Sequence, residues 1–265
     1  MIYYKTEEEI ALIRQSCLLV CETLAHVASL IKPGVTGLDI DKEAEQFIRD
    51  KGGEPGFKGY RGFPATLCVS INEQVVHGIP SGRAFREGDI ISVDCGVVLN
   101  GYNGDAAYTF ALGDVPEETM NLLRVTKEAL YRGIAQAVKG NRIGDIGYAI
   151  QSYTEYEHGY GVVRELVGHG IGKSLHEDPE VPNFGRRGKG VLLKENLTIA
   201  IEPMINLGTK HIVQADDGWT IRTKDSKPSA HYEHTVVVRK EKAEILSDHT
   251  VIEEKVKTNK ELKQV

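Results

Sequence analysis

Two aspartates within an apolar stretch give the first indication of chemistry in this sequence. Residues 91–110 read ISVDCGVVLNGYNGDAAYTF, with Asp94 in the first apolar arm and Asp105 in the second. The Asn-Gly dipeptide between the arms favours a two-residue hairpin turn. In that register Asp94 lies opposite Ala107, and Asp105 lies on the same face of the sheet, diagonal to Asp94.

A buried pair of carboxylates needs compensation. Moving one carboxylate from water into an apolar sheet is costly, so it requires a partner that restores its interactions. Two carboxylates buried together repel one another, and a cation between them removes that repulsion. Asp94 and Asp105 therefore predict a metal site.

Length and composition limit the classes of protein to consider. The 265 residues suffice for a sizeable core, in one large domain or two smaller ones. We expect no membrane span, because no apolar run approaches the length that a bilayer requires. The first residues lack the basic and apolar regions of a secretory signal, so we expect a cytoplasmic protein. The net charge of −6 argues against a sequence-wide nucleic-acid surface and a DNA partner, although a local basic patch stays open.

The four cysteines indicate a reducing compartment and do not indicate a metal site or disulfide bonds. Cys17, Cys21, Cys68 and Cys95 fit neither a zinc knuckle nor a disulfide framework, and they suit a reducing compartment. Since Cys17 and Cys21 are one helical turn apart, they are better explained as small core residues on one face than as a ligand pair.

Helix and strand signals precede the aspartate segment. A capping box of Thr6 and Glu9 opens an amphipathic helix that ends before Pro33. A second helix begins near Asp39 and ends at Gly52, and a glycine-rich loop follows it. Short strand candidates then lie at 67–71 and 75–78.

The order of signals repeats at an offset of 106 residues. A helix begins at Pro116, a glycine interrupts the pattern, and another helix runs from Asp145 to Gly159. The matched pairs are Gly34 with Gly140, Asp39 with Asp145, Ile40 with Ile146, Phe47 with Tyr153, and Gly53 with Gly159. We therefore predict an α+β fold of two similar halves, each with two helices followed by acid-bearing antiparallel strands, closing one core.

The acidic residues repeat as well. Glu202 precedes a glycine turn much as Asp94 does, and Glu233 in the segment AHYEHTVVV is the counterpart of Asp105. Four carboxylates on one cavity would not all stay ionised without roughly two divalent cations. His169 lies between glycines, which let the backbone approach a ligand and leave the imidazole uncrowded, although taken alone it would be a turn residue. Four carboxylates and one imidazole suit Mn, Fe, Co or Zn in a two-metal centre.

These residues lie in motifs that closely resemble those of the methionine aminopeptidases, which have the pita-bread fold. The motifs are NEQVVHG at 72–78, GHGIG at 168–172, IEPM at 201–204 and YEHT at 232–235. The resemblance runs from about Tyr4 to Ser247. It implies a single catalytic domain over residues 1–248, with an antiparallel sheet whose two halves are related by a pseudo-twofold axis and covered by helices. It also implies hydrolysis of the initiator methionine from nascent proteins and peptides with a small second residue, through a dinuclear metal-activated water.

The resemblance also implies a division of roles among the ligands. Asp94 would chelate one metal, His169 and Glu202 would hold the other, and two acids would bridge both. The bridging residues would be Asp105 and Glu233. Glu202 would additionally lie beside the activated water as a proton shuttle.

Three other histidines are candidates for the site. The resemblance gives His77 a hydrogen bond to the scissile amide nitrogen and His176 the stabilisation of the tetrahedral intermediate's oxygen. Without the motifs, both would be ordinary loop histidines. His231 faces the same side of an extended strand as Glu233, where it either tunes the site or is a solvated strand residue.

An apolar pocket has to select the methionine side chain. Five residues match positions that look like the family's methionine pocket, where a thioether can contact aromatic rings: Tyr60, Phe63, Cys68, Leu175 and Trp219. The commonest family pattern has Tyr in place of Phe63 and Phe in place of Leu175. Core packing is the alternative for Phe63 and Cys68, whereas Trp219, in a polar stretch, suits a pocket rim.

The resemblance is to the type I branch in its short, bacterial form. The segment between Glu202 and Glu233 has no room for the helical insertion of type II enzymes, and no zinc-binding extension of the eukaryotic kind precedes the catalytic domain. Residues 249–265 form a charged C-terminal extension, which we expect to be a solvated tail or short helix rather than a docking element.

Two other functions stay open. An X-Pro peptidase of the same fold would use a similar metal set, although such relatives usually carry a large N-terminal domain. A noncatalytic binding protein on this fold is the other, but such relatives lose metal ligands that are all present here. The expected partners are nascent polypeptide N-termini, with transient ribosome contact, and the expected state is a monomer. The physiological metal is not fixed by this donor set.

Overall fold

Helices form where capping and periodicity predict them. The computed structural model describes residues 1–265, with helices α1 (Glu7–Leu30), α2 (Gly37–Asp50), α3 (Glu117–Ile134), α4 (Ile143–Gln151) and α5 (Thr250–Thr258). The capping box of Thr6 and Glu9 is present at the start of α1. Helix α2 begins two residues before Asp39, because the preceding Thr36 forms a capping box with that aspartate. Helix α4 continues into a π-helical turn at Ser152–Glu157.

The strands pair antiparallel in four sheets, and most of them are short. In chain order they are β1 (Glu54–Pro55), β2 (Leu67–Ile71), β3 (Gln74–Val76), β4 (Ile90–Leu99), β5 (Tyr102–Leu112), β6 (Gly161–Val162), β7 (Gly168–Gly170), β8 (Glu177–Val181), β9 (Thr198–Ile201), β10 (Met204–Asn206), β11 (Ile212–Gln214), β12 (Ile221–Thr223), β13 (Ser229–His231), β14 (His234–Val237), β15 (Glu244–Ile245) and β16 (Leu262–Lys263). One sheet contains β1, β2, β4, β5 and β16, and another contains β7, β8, β9, β14 and β15. Three-stranded sheets of β6, β10 and β13 and of β3, β11 and β12 complete the fold.

The hairpin of β4 and β5 has the predicted register. Asp94 pairs with Ala107, and the pairing continues to the two-residue turn. Both turn residues have positive φ, 54° at Asn100 and 78° at Gly101, as a type I′ turn requires. This turn fixes which face of the sheet carries the aspartates.

The two halves repeat one another in detail. Asp39 accepts a hydrogen bond from the N–H of Thr36 at 2.8 Å, and Asp145 accepts one from the N–H of Arg142 at 2.7 Å. Thr36 and Arg142, which are 106 positions apart, also form the corresponding β-bridges, to Ala84 and to a residue ahead of β9. The predicted α+β pita-bread architecture of two helix-covered halves is confirmed.

Helix α1 is long and apolar enough to cross a bilayer on length and composition alone, contrary to the expectation that no segment would be. Its apolar side is buried in the protein, where residues such as Val20 and Leu24 join the main core with Val93 and Tyr108 of the central hairpin. The apolar residues of α1 are therefore explained by packing in the core.

Residues 249–265 include a short helix, which was one of the expected alternatives, but the expectation that the segment would not dock on the rest of the protein was wrong. Helix α5 buries Ile252 and Val256 in the main core, and β16 pairs with the end of β5. The side-chain amide of Asn259 donates to two carbonyls at the end of α1, each at 2.8 Å. The alternating charges of this segment suggested a solvated surface, although α5 has one apolar face that contains Ile252 and Val256.

Candidate metal centre

A cavity of about 270 Å³ lies where the acid-bearing strands of the two halves meet. The five predicted ligands all line this cavity: Asp94, Asp105, His169, Glu202 and Glu233. The first two project from the β4–β5 hairpin. Glu202 lies immediately after β9, and Glu233 lies between β13 and β14. The fold thus brings together acids that are far apart in the sequence.

The donor atoms of this group are close but do not bond to one another. Asp105, His169 and Glu233 offer donor atoms that all lie within 4.8 Å of each other. His169 Nε2 is 3.8 Å from Asp105 Oδ2 and 3.7 Å from Glu202 Oε1. These separations exceed the length of a hydrogen bond, and they suit ligands grouped around a shared cation.

Several buried atoms of the centre have no hydrogen-bond partner. They are Asp94 Oδ1, Asp105 Oδ1, Glu233 Oε1 and His231 Nε2. Buried polar atoms are almost always satisfied in folded proteins, so a cluster of unsatisfied atoms indicates a missing partner. Since three of the four are carboxylate oxygens, a divalent cation fits the set.

The carboxylates also show the electrostatic cost of being buried together. Burial raises the pKa of Asp94 to about 7, and the nearby Glu202 adds to that rise while His231 opposes it. Burial likewise raises the pKa of Glu202 to about 7, against the influence of His169. Burial and neighbouring acids place the pKa of Glu233 well above its usual range. Without a cation, this group of acids is partly protonated at neutral pH.

His169 is oriented for coordination. Its Nδ1 lies 2.9 Å from the carbonyl oxygen of Gly170, so this nitrogen carries the proton and leaves Nε2 free to bind a metal. The flanking glycines have a different purpose from the one predicted. A Cβ at Gly168 would lie 2.3 Å from the carbonyl oxygen of Ala200, and one at Gly170 would lie 2.3 Å from that of Asp178. They permit close strand packing.

The two other predicted catalytic histidines also line the cavity. Burial lowers the pKa of His77 to about 4, so this imidazole is neutral near pH 7. The Nδ1 atom of His176 lies 2.8 Å from the hydroxyl of Tyr60, and its ring packs edge-on against His169 at 4.2 Å. Partial burial, followed by the neighbouring His169, lowers the pKa of His176 as well. With the Tyr60 hydroxyl donating to Nδ1, His176 has its Nε2–H available as a donor.

All five predicted pocket residues lie on the wall of the same cavity. Phe63 and Trp219 meet edge to face with ring centroids 5.2 Å apart. Phe63, Cys68 and Leu175 are buried in a small apolar cluster separate from the main core, and they also line the cavity. Other wall residues were not predicted from the sequence, among them Phe57, Val76, Leu166 and Met204. Val76 and Met204 lie inside the quoted motifs, which could have identified them.

His231 is buried and faces the centre, which contradicts the solvated alternative. It is only 1% exposed, and its Nε2 lies 3.6 Å from Glu202 Oε2. His234 begins the next strand, β14, and does not line the cavity; its Nδ1 lies 2.6 Å from Ser247 Oγ.

The chain is similar to characterised proteins over most of its length. Residues 11–240 match metallopeptidase family M24. The methionine aminopeptidase of Clostridium acetobutylicum is 52% identical over 248 residues, covering 93% of this chain and 99% of that protein. Methionine aminopeptidase 1 of Bacillus subtilis is 44% identical over 247 residues, with the same coverage of both chains.

Solved structures show the same similarity. The methionine aminopeptidase of Rickettsia prowazekii matches with a TM-score of 0.92 and 40% identity, over 94% of this chain and all of the other. The prolidase of Pyrococcus horikoshii matches with a TM-score of 0.76 and 21% identity, over 92% of this chain and 63% of the other. The second match shows a shared fold.

Proposed function

We infer the details of the reaction from the fact that this chain belongs to metallopeptidase family M24. It is a hydrolase that removes the N-terminal methionine of its substrates, and as a member of this family it uses a divalent metal. The observation that carries the finer proposal is the group of unsatisfied buried carboxylate oxygens beside an aromatic pocket.

We propose that the centre holds two divalent ions, of Mn, Fe, Co or Zn. Asp94 would hold one ion, while His169 and Glu202 would hold the other. Asp105 and Glu233 would contribute ligands to both. When bound, such ions lower the pKa of a shared water toward neutrality and polarise the scissile carbonyl.

Glu202 is the proton shuttle in this proposal. It lies within reach of both His169 and His231, at 3.7 and 3.6 Å. Burial raises the pKa of Glu202 in the metal-free protein, and its position beside the activated water allows it to take and return a proton. Glu202 would take a proton from the attacking water and pass it to the departing amine.

The neutral histidines act on the substrate amide. His77 forms a hydrogen bond with the scissile nitrogen. His176 donates its Nε2–H to the carbonyl oxygen as that oxygen gains negative charge, and Tyr60 keeps the imidazole in the required tautomer. Because both imidazoles have lowered pKa values, they remain neutral donors throughout the reaction.

The wall of the cavity selects the substrate. The methionine side chain occupies the pocket of Tyr60, Phe63, Cys68, Leu175 and Trp219, and its thioether contacts the aromatic rings. We propose a preference for a small second residue and for nascent polypeptides as substrates, with transient contact to the ribosome. We also propose that the protein acts as a monomer in the cytoplasm, a compartment that suits its four free cysteines.

A peptide-release assay tests this function. Free methionine released from a Met-Gly peptide is followed over time, with each of the four metals supplied in turn. An Xaa-Pro peptide serves as the matched competitor. We expect release from Met-Gly and none from Xaa-Pro. A preference for Xaa-Pro would favour an X-Pro peptidase, and no cleavage of either peptide by metal-loaded protein would favour a binding protein.

A further inference from the structure

A buried ion pair lies beneath the loop that carries His176. Lys5 Nζ is 2.6 Å from Glu177 Oε2, and these side chains are only 5% and 7% exposed. Lysine and glutamate are rarely buried this fully, because burial removes the hydration of each charge. Glu177 directly follows His176 in the chain. The pair therefore joins the N-terminal segment to the base of the catalytic loop.

The loop closes directly over this pair. A Cβ at Gly172 would lie 2.5 Å from Lys5 Cε and 2.7 Å from Glu177 Oε1, so only glycine permits such a close approach. The N–H of Ser174 donates to Glu177 Oε1 at 3.3 Å. Each oxygen of Glu177 thus has its own partner, one in the N-terminal segment and one in the loop.

Backbone hydrogen bonds fix both Lys5 and the loop that contains Gly172. The N–H of Lys5 donates to the carbonyl of Asn196 at 2.8 Å, and the side-chain amide of Asn196 donates to the carbonyl of Lys5 at 3.0 Å. On the other side, the backbone and side-chain N–H groups of Asn103 donate to the carbonyl of Gly172 at 2.8 and 3.0 Å. Asn103 lies two residues before Asp105 on β5, so the loop is held between the N-terminal segment and the metal-binding hairpin.

This loop carries two residues of the cavity wall. Leu175 is buried in the apolar pocket cluster, and His176 packs against His169 and bonds to Tyr60. A displacement of Glu177 would move both residues relative to the substrate. Small misplacements of groups that contact reacting atoms can lower a rate by up to about a hundredfold.

We propose that Lys5 is a positioning residue of the hydrolysis, which fixes Glu177 so that Leu175 and His176 keep their places at the cavity. The proposal rests on the role given to His176 in the proposed function. Lys5 itself does not line the cavity, so its effect has to pass through the loop.

Lys5→Met tests the proposal, with Lys127→Met as the matched control. Lys127 forms an ion pair of the same length with Glu253, between α3 and α5. Thermal unfolding, Mn binding by calorimetry, and kcat and KM for a Met-Gly peptide are measured for each variant at saturating metal. For Lys5→Met we expect kcat to fall about tenfold while Mn affinity stays within about twofold. Lys127→Met should lower only the melting temperature.

Since Lys5→Met leaves Glu177 buried without a partner, a second variant guards against simple unfolding. The double variant Lys5→Met with Glu177→Gln has no buried unpaired charge, and it should fold and show the same loss of kcat. An unchanged kcat in the double variant would overturn the proposal.

A double-mutant cycle shows whether the effect passes through His176. In a His176→Ala background, we expect Lys5→Met to change kcat by less than about twofold, while KM still rises through the displaced Leu175. A full loss in both backgrounds would make Lys5 merely structural and overturn the proposal. Failure of the proposed function would look different, because wild-type protein loaded with metal would then release no methionine at all.

Discussion

The two halves of the protein supply their carboxylates in different ways. In the first half, ten consecutive residue pairs of β4 and β5 hold Asp94 and Asp105 around a two-residue turn. In the second half, Glu202 and Glu233 lie just outside regular strands, and the chain between them forms β10 to β13. The same pair of acids is therefore held by a continuous ladder on one side and by strand ends on the other.

The connections between the acids also differ. The tight hairpin contributes only its two aspartates to the cavity wall, whereas the longer connection in the second half supplies Met204 and Trp219. The second half also contributes His169, which has no counterpart in the first, and the buried His231 beside Glu202. The repeat thus became asymmetric where the protein contacts substrate.

Replacing one acid of the hairpin is expected to give the largest effect. Asp105→Asn removes a bridging charge, so both metals should bind more weakly and kcat/KM should fall about a thousandfold, the equivalent of several kcal/mol. Asp94→Asn should weaken one metal preferentially. Calorimetric titration with Mn gives the stoichiometry of each variant. Equal loss of both metals in the two variants would contradict the bridging assignment.

The catalytic histidines extend the comparison, since His77 comes from the first half and His176 from the second. His176→Ala should lower kcat/KM by about 10² to 10³, because a donor to the developing oxyanion is lost. Metal stoichiometry and melting temperature should remain those of the wild type, because His176 is not a ligand. An unchanged kcat/KM would remove His176 from the mechanism.

Metal binding should depend on pH through the acids of both halves. Asp94 and Glu202 have pKa values raised to about 7, so below that pH they hold protons that a metal must displace. We expect Mn affinity to rise by up to about tenfold per pH unit for each proton displaced between pH 5 and 7, and to level off above pH 8. Titrations at several pH values measure this, and Glu202→Gln should reduce the slope. A flat profile in the wild type would mean that these acids are ionised in the metal-free protein.

The same acids link pH to the stability of the metal-free protein. Their folded-state pKa values exceed the unfolded values near 4, so the folded state binds more protons between about pH 4 and 7. Unfolding free energy contributed by these groups is therefore fully present below pH 4 and lost as the pH rises through 7. Chemical denaturation with and without metal should show this loss only in the metal-free protein. A loss of the same size with metal bound would assign it to other groups.

Short sequence motifs predicted correctly those features of the fold that depend on neighbouring residues, such as turns and helix starts. The Asn-Gly turn fixed the register of Asp94, and the acids at Asp39 and Asp145 marked equivalent helix starts. Asp105, His169 and Glu233, which the motifs identified as ligands, also lie close together in the structure.

Contacts between residues far apart in the chain could not be predicted from the sequence in the same way. The pairing of Lys5 with Glu177 joins residues far apart in the sequence, and neither residue has a neighbour that reveals the other. The burial of His231 depends on how β13 meets the central hairpin. The docking of α5 depends on an apolar face that only three-dimensional contacts distinguish from a charged surface helix.

The variant with the smallest expected effect, Asn259→Ala, tests whether the C-terminal extension stabilises the first half of the protein. Asn259 donates to the carbonyls of Ala28 and Ile31, which the end of α1 leaves without helical partners. Asn259→Ala should therefore lower the free energy of unfolding by about 1 to 2 kcal/mol, measured by urea denaturation. The exposed Lys260→Ala is the matched control and should have no effect. Because α1 contacts the back of the hairpin and not the cavity, kcat and metal stoichiometry should be unchanged in both variants. A lowered metal affinity in Asn259→Ala would show instead that the extension helps to set the geometry of Asp94 and Asp105.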